Sequence, residues 1–486
     1  MRCGSLLSLF CAAALAACNR DPVRYRYVVL ISLDTVRADH IGCYGYELGA
    51  TPNIDRLAAE GVRFERAITA APTTLASHAS LMTGTYPHRH GVPRNGFVLS
   101  DENTTLAERL KEHEFTTAAF VGSYALASPF GLKQGFDVYD EKFETEVGRS
   151  GVYQSQRSAR AVTQAALKWF EEADPDRAFV FLHYFDAHAP YAPENSLSPP
   201  VGLDALSRRA KMHQSRWMSN PPGWEAPLSS GLPAELVGAV DGSKLDLDDD
   251  VIVSQYHREI SNLDAALAPL FEFFRDPERA RDTLIVLTAD HGESFYEHAD
   301  FFNHGLWLHD STVHVPLIVH APGLDARRVA PTVSSVDVAP TVLDLLELPR
   351  AGGLDGRTLG PLVRGAALER GPVFSEATQP THPSFESGEW ANARKPRCIV
   401  DGRWKLIRAP YLAREQLFDI ELDPGERKDL IGSRDHEVVA TLATLRERLD
   451  EWDGSAKPLA SHYERTEAAA VARKLKELGY VEGVGR

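Results

Sequence analysis

Short runs of consecutive apolar residues recur along the chain, and each ends at an aspartate. Val28-Val29-Leu30-Ile31-Ser32-Leu33 stops at Asp34, the run from Ala178 to Phe185 stops at Asp186, and the run from Thr283 to Ala289 stops at Asp290. Continuous rather than alternating apolarity marks strands buried on both faces, as in a parallel sheet covered by helices. Helical patterns lie between these runs, at 51–58, 156–172 and 250–275. Strands alternating with helices predict an α/β fold, a large domain whose mostly parallel, doubly wound sheet is flanked by helices. After a further helical stretch at 338–346 the pieces become shorter, strand-like at 397–408 and 416–422, and a charged helix follows at 435–452. That change predicts a small C-terminal α+β domain. The expected division is a large domain over 18–350 and a small one over 351–486. Within the first, 192–250 is rich in Pro, Gly, Ser and acidic residues and reads as an insertion over the sheet edge.

The first residues carry a different signal. Arg2 precedes an apolar run from Leu6 to Ala17, too short for a comfortable bilayer span and suited to the core of a signal peptide over 1–17. Its end, Leu15-Ala16-Ala17-Cys18, resembles the lipobox of bacterial lipoproteins. The resemblance implies acylation of Cys18 and attachment to a membrane through that lipid. With Asn19 next, it implies the outer membrane of a bacterial cell envelope, facing the periplasm. No other stretch approaches 18 apolar residues, so the remainder is expected to be soluble and tethered. Of five cysteines, Cys3 and Cys11 would leave with the signal; Cys43 and Cys398 remain, either as free thiols or as a pair if the fold brings them together.

A chain with 43% hydrophobic and 25% charged residues has the composition of a globular protein. The formal net charge of -16 excludes a nucleic-acid partner, whose backbone calls for clustered Lys and Arg. An anionic substrate would need a locally positive site, such as a metal.

Ligands of open α/β sheets bind beyond the carboxyl ends of the strands, where Asp34, Asp186 and Asp290 all fall. The last two have histidines close behind, His188 and His291. An Asp-His pair followed by Gly offers oxygen and nitrogen donors to a divalent cation, with room for a tight turn. Thr74 stands where a helical run begins near Leu75. A threonine hydroxyl there can cap the helix, and a metal can make it a useful nucleophile. The helix N-terminus would also favour an anion.

Several motifs together resemble the sulfatase family of the alkaline-phosphatase superfamily. Leu33-Asp34-Thr35 through Gly45 resembles its first metal motif, with Thr35 where a second Asp is usual. Ala289-Asp290-His291-Gly292-Glu293 resembles the second. Pro72 to Val92 resembles the nucleophile segment, and counting back ten positions from Gly84 sets Thr74 on the nucleophile, Ala76 on a Pro and His78 on an Arg. Sulfatases oxidise a Cys or Ser at this position to formylglycine, so none is expected here. Thr with His four residues on is similar to the nucleotide pyrophosphatase and phosphodiesterase branch, where Thr attacks phosphorus directly. Asp186-Ala187-His188-Ala189-Pro190-Tyr191 and the stretch from Asn303-His304 to Pro316 resemble anion-contacting segments, with Leu306 in place of a Lys. Tyr256 to Asp264 resembles a helix that buttresses the sheet, and 401–407 and 416–426 resemble the C-terminal strands.

The resemblance covers roughly 25–435. It implies a divalent metal held by Asp34, Asp290, His291 and Thr74, either Ca2+ as in sulfatases or Zn2+ as in the phosphodiesterases. His78, His188 and His304 would steady the anion; alternatively Asp186, His188 and His304 would hold a second metal. The implied activity is hydrolysis of a sulfate or phosphate ester, on a small anionic ester or a sulfated or phosphorylated glycan, with Thr74 favouring phosphate mono- or diesters. A formylglycine-independent sulfatase and a non-catalytic glycan binder remain open alternatives.

Overall fold

The computed structural model describes residues 25–191 and 249–460, apart from 144–145, 149–150, 154–155, 296, 299–301, 350, 378–394 and 411–412, and also 202, 206 and 209. The expected signal peptide, Cys18, nearly all of the 192–250 insertion and the chain beyond 460 lie outside the described residues.

The principal sheet has nine strands: β1 (Tyr27–Leu33), β2 (Val62–Ile68), β3 (Thr116–Val121), β4 (Val138–Asp140), β5 (Ala178–Tyr184), β6 (Thr283–Ala289), β7 (His314–His320), β8 (Arg327–Val329) and β9 (Val333–Ser334). Their order is β8-β2-β7-β6-β1-β5-β3-β4, with β9 also beside β2. Every residue of β1, β5 and β6 is buried, which is what their unbroken apolar runs require. β1 pairs in parallel with β5 on one side and β6 on the other, although both come much later in the chain. This is the switch point at which a crevice opens outside the strand ends. Leu33 faces Tyr184 in one ladder and Ala289 in the other, so Asp34, Phe185 and Asp290 emerge at one level.

The sheet is mostly parallel, as expected, and mixed on one flank: β7 runs antiparallel to both β6 and β2. Helices α1 (Pro52–Glu60) and α3 (Ala159–Ala173) pack against the long α4 (Asp249–Arg275), while α2 (Thr74–Thr83) packs against α5 (Val338–Leu345).

The C-terminal unit is a four-stranded antiparallel sheet of β10 (Val373–Glu376), β11 (Arg397–Asp401), β12 (Trp404–Ala409) and β13 (Arg414–Asp419), in sequence order. The stretch 397–408 is therefore a hairpin, turned at Gly402 with φ 57°. Helix α6 (His436–Gly454) lays Leu442, Leu445 and Leu449 against Ile399, Leu406 and Leu417. Cys398 and Phe418 share an apolar cluster with Ile68, Leu308 and Val313, which seats this sheet on the larger unit. Beside that seam the fully buried Lys405 sets its Nζ 2.7 Å from Asp310 Oδ1 and 2.6 Å from Glu426 Oε1. Among the described residues Cys43 and Cys398 are both free thiols and do not pair with each other.

Candidate active site

Asp34 and Asp290 are held in the crevice by their own strand ends. The Asp34 amide donates to Tyr184 O at 2.8 Å, and its carboxylate Oδ2 lies 3.1 Å from His183 Nε2. Asp290 Oδ1 accepts from the amides of Thr35 at 3.2 Å and His291 at 2.8 Å. Thr35 can aim its N–H this way because it adopts the left-handed region, φ 56°. Tyr256, on α4, fastens the same turn: its hydroxyl donates to Thr35 O at 2.7 Å and accepts from the Arg37 amide at 3.0 Å. The helix that looked like a buttress is one. Gly292 is equally constrained, since a Cβ there would sit 2.1 Å from Ser311 O.

Two carboxylate oxygens, Asp34 Oδ1 and Asp290 Oδ2, are buried with no hydrogen-bond partner among the described residues. Burial, then the neighbouring Asp290 and Glu293 charges, pushes the Asp34 carboxyl well above the usual carboxylate range. Burial pushes Asp290 up to about 6. Arg37 does not neutralise them, being committed to Asp39 and Glu297. Two buried carboxyls without a counter-charge make a costly arrangement that a cation would relieve.

His291 completes the donor set. Its Nδ1 lies 2.9 Å from Gly292 O and so carries the proton, which leaves the Nε2 lone pair facing the crevice. That Nε2 is 3.4 Å from Asp290 Oδ2, 4.0 Å from Asp34 Oδ1 and 3.5 Å from Thr74 Oγ1. Donor atoms of Asp34, Asp290 and His291 all lie within 4.8 Å of one another, so the residues fit a divalent metal.

Thr74 is the first residue of α2, one earlier than expected, and Thr73 rather than Thr74 takes the N-cap position. The next amide, Leu75 N, donates to Asn95 Oδ1 at 2.8 Å, and the Asn95 Nδ2 amide is buried without a partner among the described residues. Ser77 Oγ donates to Asp290 O at 2.7 Å and ties the helix to β6.

His78 sits otherwise than expected. Its Nδ1 donates to Thr74 O at 2.6 Å and its Nε2 accepts from the Ser32 hydroxyl at 2.8 Å, so both ring nitrogens are engaged behind Thr74 rather than turned to an anion. Burial lowers its pKa and keeps it neutral. His188 and His304 do reach the crevice, with ring centroids 5.3 Å apart; His304 is 4.3 Å from His291. His304 Nδ1 lies 3.2 Å from Glu293 Oε1, and burial pushes Glu293 up to about 7. Among the described residues the other group of ligand atoms within 4.8 Å is His78, His183 and Asp290; Asp186, His188 and His304 are not gathered into one. His183, Asn95 and Ser32 join the site with no role expected from the sequence, and Glu293, part of the second metal motif, had none either. A histidine inside an otherwise apolar strand was the available signal for His183.

The sulfatase family profile matches residues 26–348, and a profile described as N-sulphoglucosamine sulphohydrolase, C-terminal, matches 297–454. An arylsulfatase of Clostridium perfringens is 26% identical over 463 residues, covering 84% of this chain and 91% of its own. An N-acetylglucosamine-6-O-sulfatase of Bacteroides thetaiotaomicron is 23% identical over 497 residues, covering 89% and 88%. Among solved structures, a phosphonate monoester hydrolase of Agrobacterium radiobacter superposes with a TM-score of 0.65 at 24% identity, over 87% of this chain and 96% of that one, which shows a common fold. The profile match runs through both strand-end aspartates and the Thr74 helix, and the chain belongs to the sulfatase family of hydrolases.

Proposed function

We propose that the chain is a metal-dependent ester hydrolase whose nucleophile is the Thr74 hydroxyl and whose preferred substrates are phosphate mono- or diesters. The observation that carries this reading is the position of Thr74 Oγ1, 3.5 Å from His291 Nε2 at the start of α2, beside two buried carboxylate oxygens that lack partners. Asp34, Asp290 and His291 hold the cation. Two carboxylates, an imidazole and a hydroxyl suit Zn2+ better than Ca2+, which takes more, and all-oxygen, ligands. When bound, the cation favours loss of the hydroxyl proton and offsets negative charge on the ester. Thr74 Oγ1 attacks the phosphorus as the bond to the leaving alcohol breaks, and water then hydrolyses the Thr74 ester, releasing phosphate and restoring the hydroxyl. The methyl group of Thr74 bars oxidation of its side chain to an aldehyde. The N-terminus of α2 and the buried Asn95 amide supply donors for the charged oxygens. His188 and His304, the latter held by Glu293, contact the remainder of the anion.

Leu306 removes a cation from the place where sulfatases use a Lys, and Thr74 removes the formylglycine precursor. Phosphoryl transfer depends mainly on placement and electrostatic stabilisation, which this site retains. The relatives' names point to sulfated sugars and phosphonate monoesters, so a phosphorylated or sulfated glycan is the proposed natural substrate class. The proposal also includes a lipid anchor at Cys18 facing the periplasm. Purified, metal-loaded protein should show a higher kcat/KM for p-nitrophenyl phosphate or bis(p-nitrophenyl) phosphate than for p-nitrophenyl sulfate. A sulfate rate above both phosphate rates would instead favour a sulfatase that works without formylglycine.

A further inference from the structure

We infer that His183 is a positioning residue for the metal site: it donates its Nε2 proton to Asp34 and so fixes which carboxylate oxygen faces the cation. The inference rests on the reading of Asp34 as a metal ligand. His183 lies on β5, opposite Ser32 of β1 and Val121 of β3, and is fully buried. Its Nδ1 is 3.4 Å from the backbone amide of Gly122, which can only donate. Nδ1 is therefore the acceptor, the ring proton resides on Nε2, and Nε2 donates to Asp34 Oδ2 at 3.1 Å. This leaves Asp34 Oδ1, which has no hydrogen-bond partner among the described residues, as the oxygen presented to the metal.

The chain is shaped to keep this contact. Gly122 approaches β5 so closely that a Cβ there would meet His183 O at 2.9 Å and Phe185 N at 3.2 Å. The His78 ring stands perpendicular to the His183 ring with centroids 4.9 Å apart, which limits its rotation. His183 also lies within ligand range of His78 and Asp290. As an Nε2–H donor, however, it has no lone pair there to offer a metal, and ligation would require giving up Asp34. Outer partners of this kind orient a ligand, and their loss weakens metal binding roughly 10–100-fold.

Zn2+ titration against a competing chelator should be compared for wild type, His183→Gln and His183→Leu, with Co2+ spectra and metal-free thermal midpoints recorded in parallel. His183→Leu should weaken Zn2+ binding by roughly 10–100-fold. His183→Gln should stay within a few fold, because the Gln amide donates from nearly the place of Nε2, and its Co2+ bands should keep their wild-type positions. A purely packing role would rank the variants the other way, since a buried Leu is tolerated better than a buried Gln. Equal Zn2+ affinity in all three would overturn the inference. So would Co2+ spectra that lose a nitrogen donor in both variants, which would make His183 a ligand. Wild type that binds no divalent metal would remove the metal reading and this inference with it. Should His183→Leu fail to fold, 15N spectra of wild-type histidines decide: a proton on His183 Nε2 is expected, and one on Nδ1 refutes the assignment.

Discussion

Replacing Asp290 by Asn should make the metal-free protein more stable while destroying its metal site. Asp290 is fully buried and moved from 3.8 to about 6, chiefly by burial. At about 1.4 kcal/mol per tenfold in an ionisation constant, ionising it in the native state costs on the order of 3 kcal/mol relative to the unfolded chain. The native state keeps this proton longer than the unfolded state does, so the contribution of Asp290 to stability is present below pH 4 and is lost as pH rises through about 6. Asp34, raised in the same direction, adds to the loss. The buried histidines, whose pKa values burial lowers, add stability over the same range in wild type and variant alike. Asp290→Asn removes the ionisation and retains an oxygen to accept from the Thr35 and His291 amides. In EDTA at pH 7.5 the variant should exceed wild type by up to roughly 3 kcal/mol, an advantage that vanishes near pH 4. With saturating metal the order should reverse, because only wild type gains binding energy that favours the native state. Chemical denaturation with EDTA and with metal, from pH 4 to 8, reads all of this. A variant no more stable than wild type in EDTA at pH 7.5, or a difference between the two that does not grow from pH 4 to 7.5, would refute the reasoning.

Lys405→Met should destabilise the protein by roughly 3–5 kcal/mol in the same denaturation assay, because it strands the buried Asp310 and Glu426 carboxylates at the seam with the C-terminal sheet. A loss under about 1 kcal/mol would mean that Arg66 and protonation of Glu426 compensate fully. Cys18→Ala should release the protein from the membrane fraction and remove acyl mass, since stable anchoring takes more than one acyl chain. Wild type found soluble in the periplasm and without lipid by mass spectrometry would contradict the anchor.

The strand ends were legible because a buried parallel strand must be continuously apolar and its first polar residue must emerge at the sheet's edge. Asp34 and Asp290 therefore lie at one level, as their positions in the sequence suggested. The start of α2 at Thr74 was legible to within one residue for a similar local reason. His78 was not, because an alignment position says nothing of where a ring points, and Ser32 and Thr74 O bind both of its nitrogens. His183 was hidden because a lone histidine in an apolar strand reads as core until its partner across the sheet is known. Asn95 was hidden for another reason: it acts on the Leu75 amide from a loop 20 residues on, and no periodicity spans that distance. The antiparallel β7 depends on how the chain returns after Asp290, which apolar patterning does not encode.

The central claim is that the Thr74 hydroxyl attacks the ester, and the direct measurement is kcat for Thr74→Ala at saturating metal, beside wild type and with folding checked by the thermal midpoint. The account predicts a folded protein whose kcat has fallen by roughly 10^4-fold or more, as for loss of a nucleophile in other hydrolases. A variant that folds and turns over within about tenfold of wild type would show that another group attacks the ester.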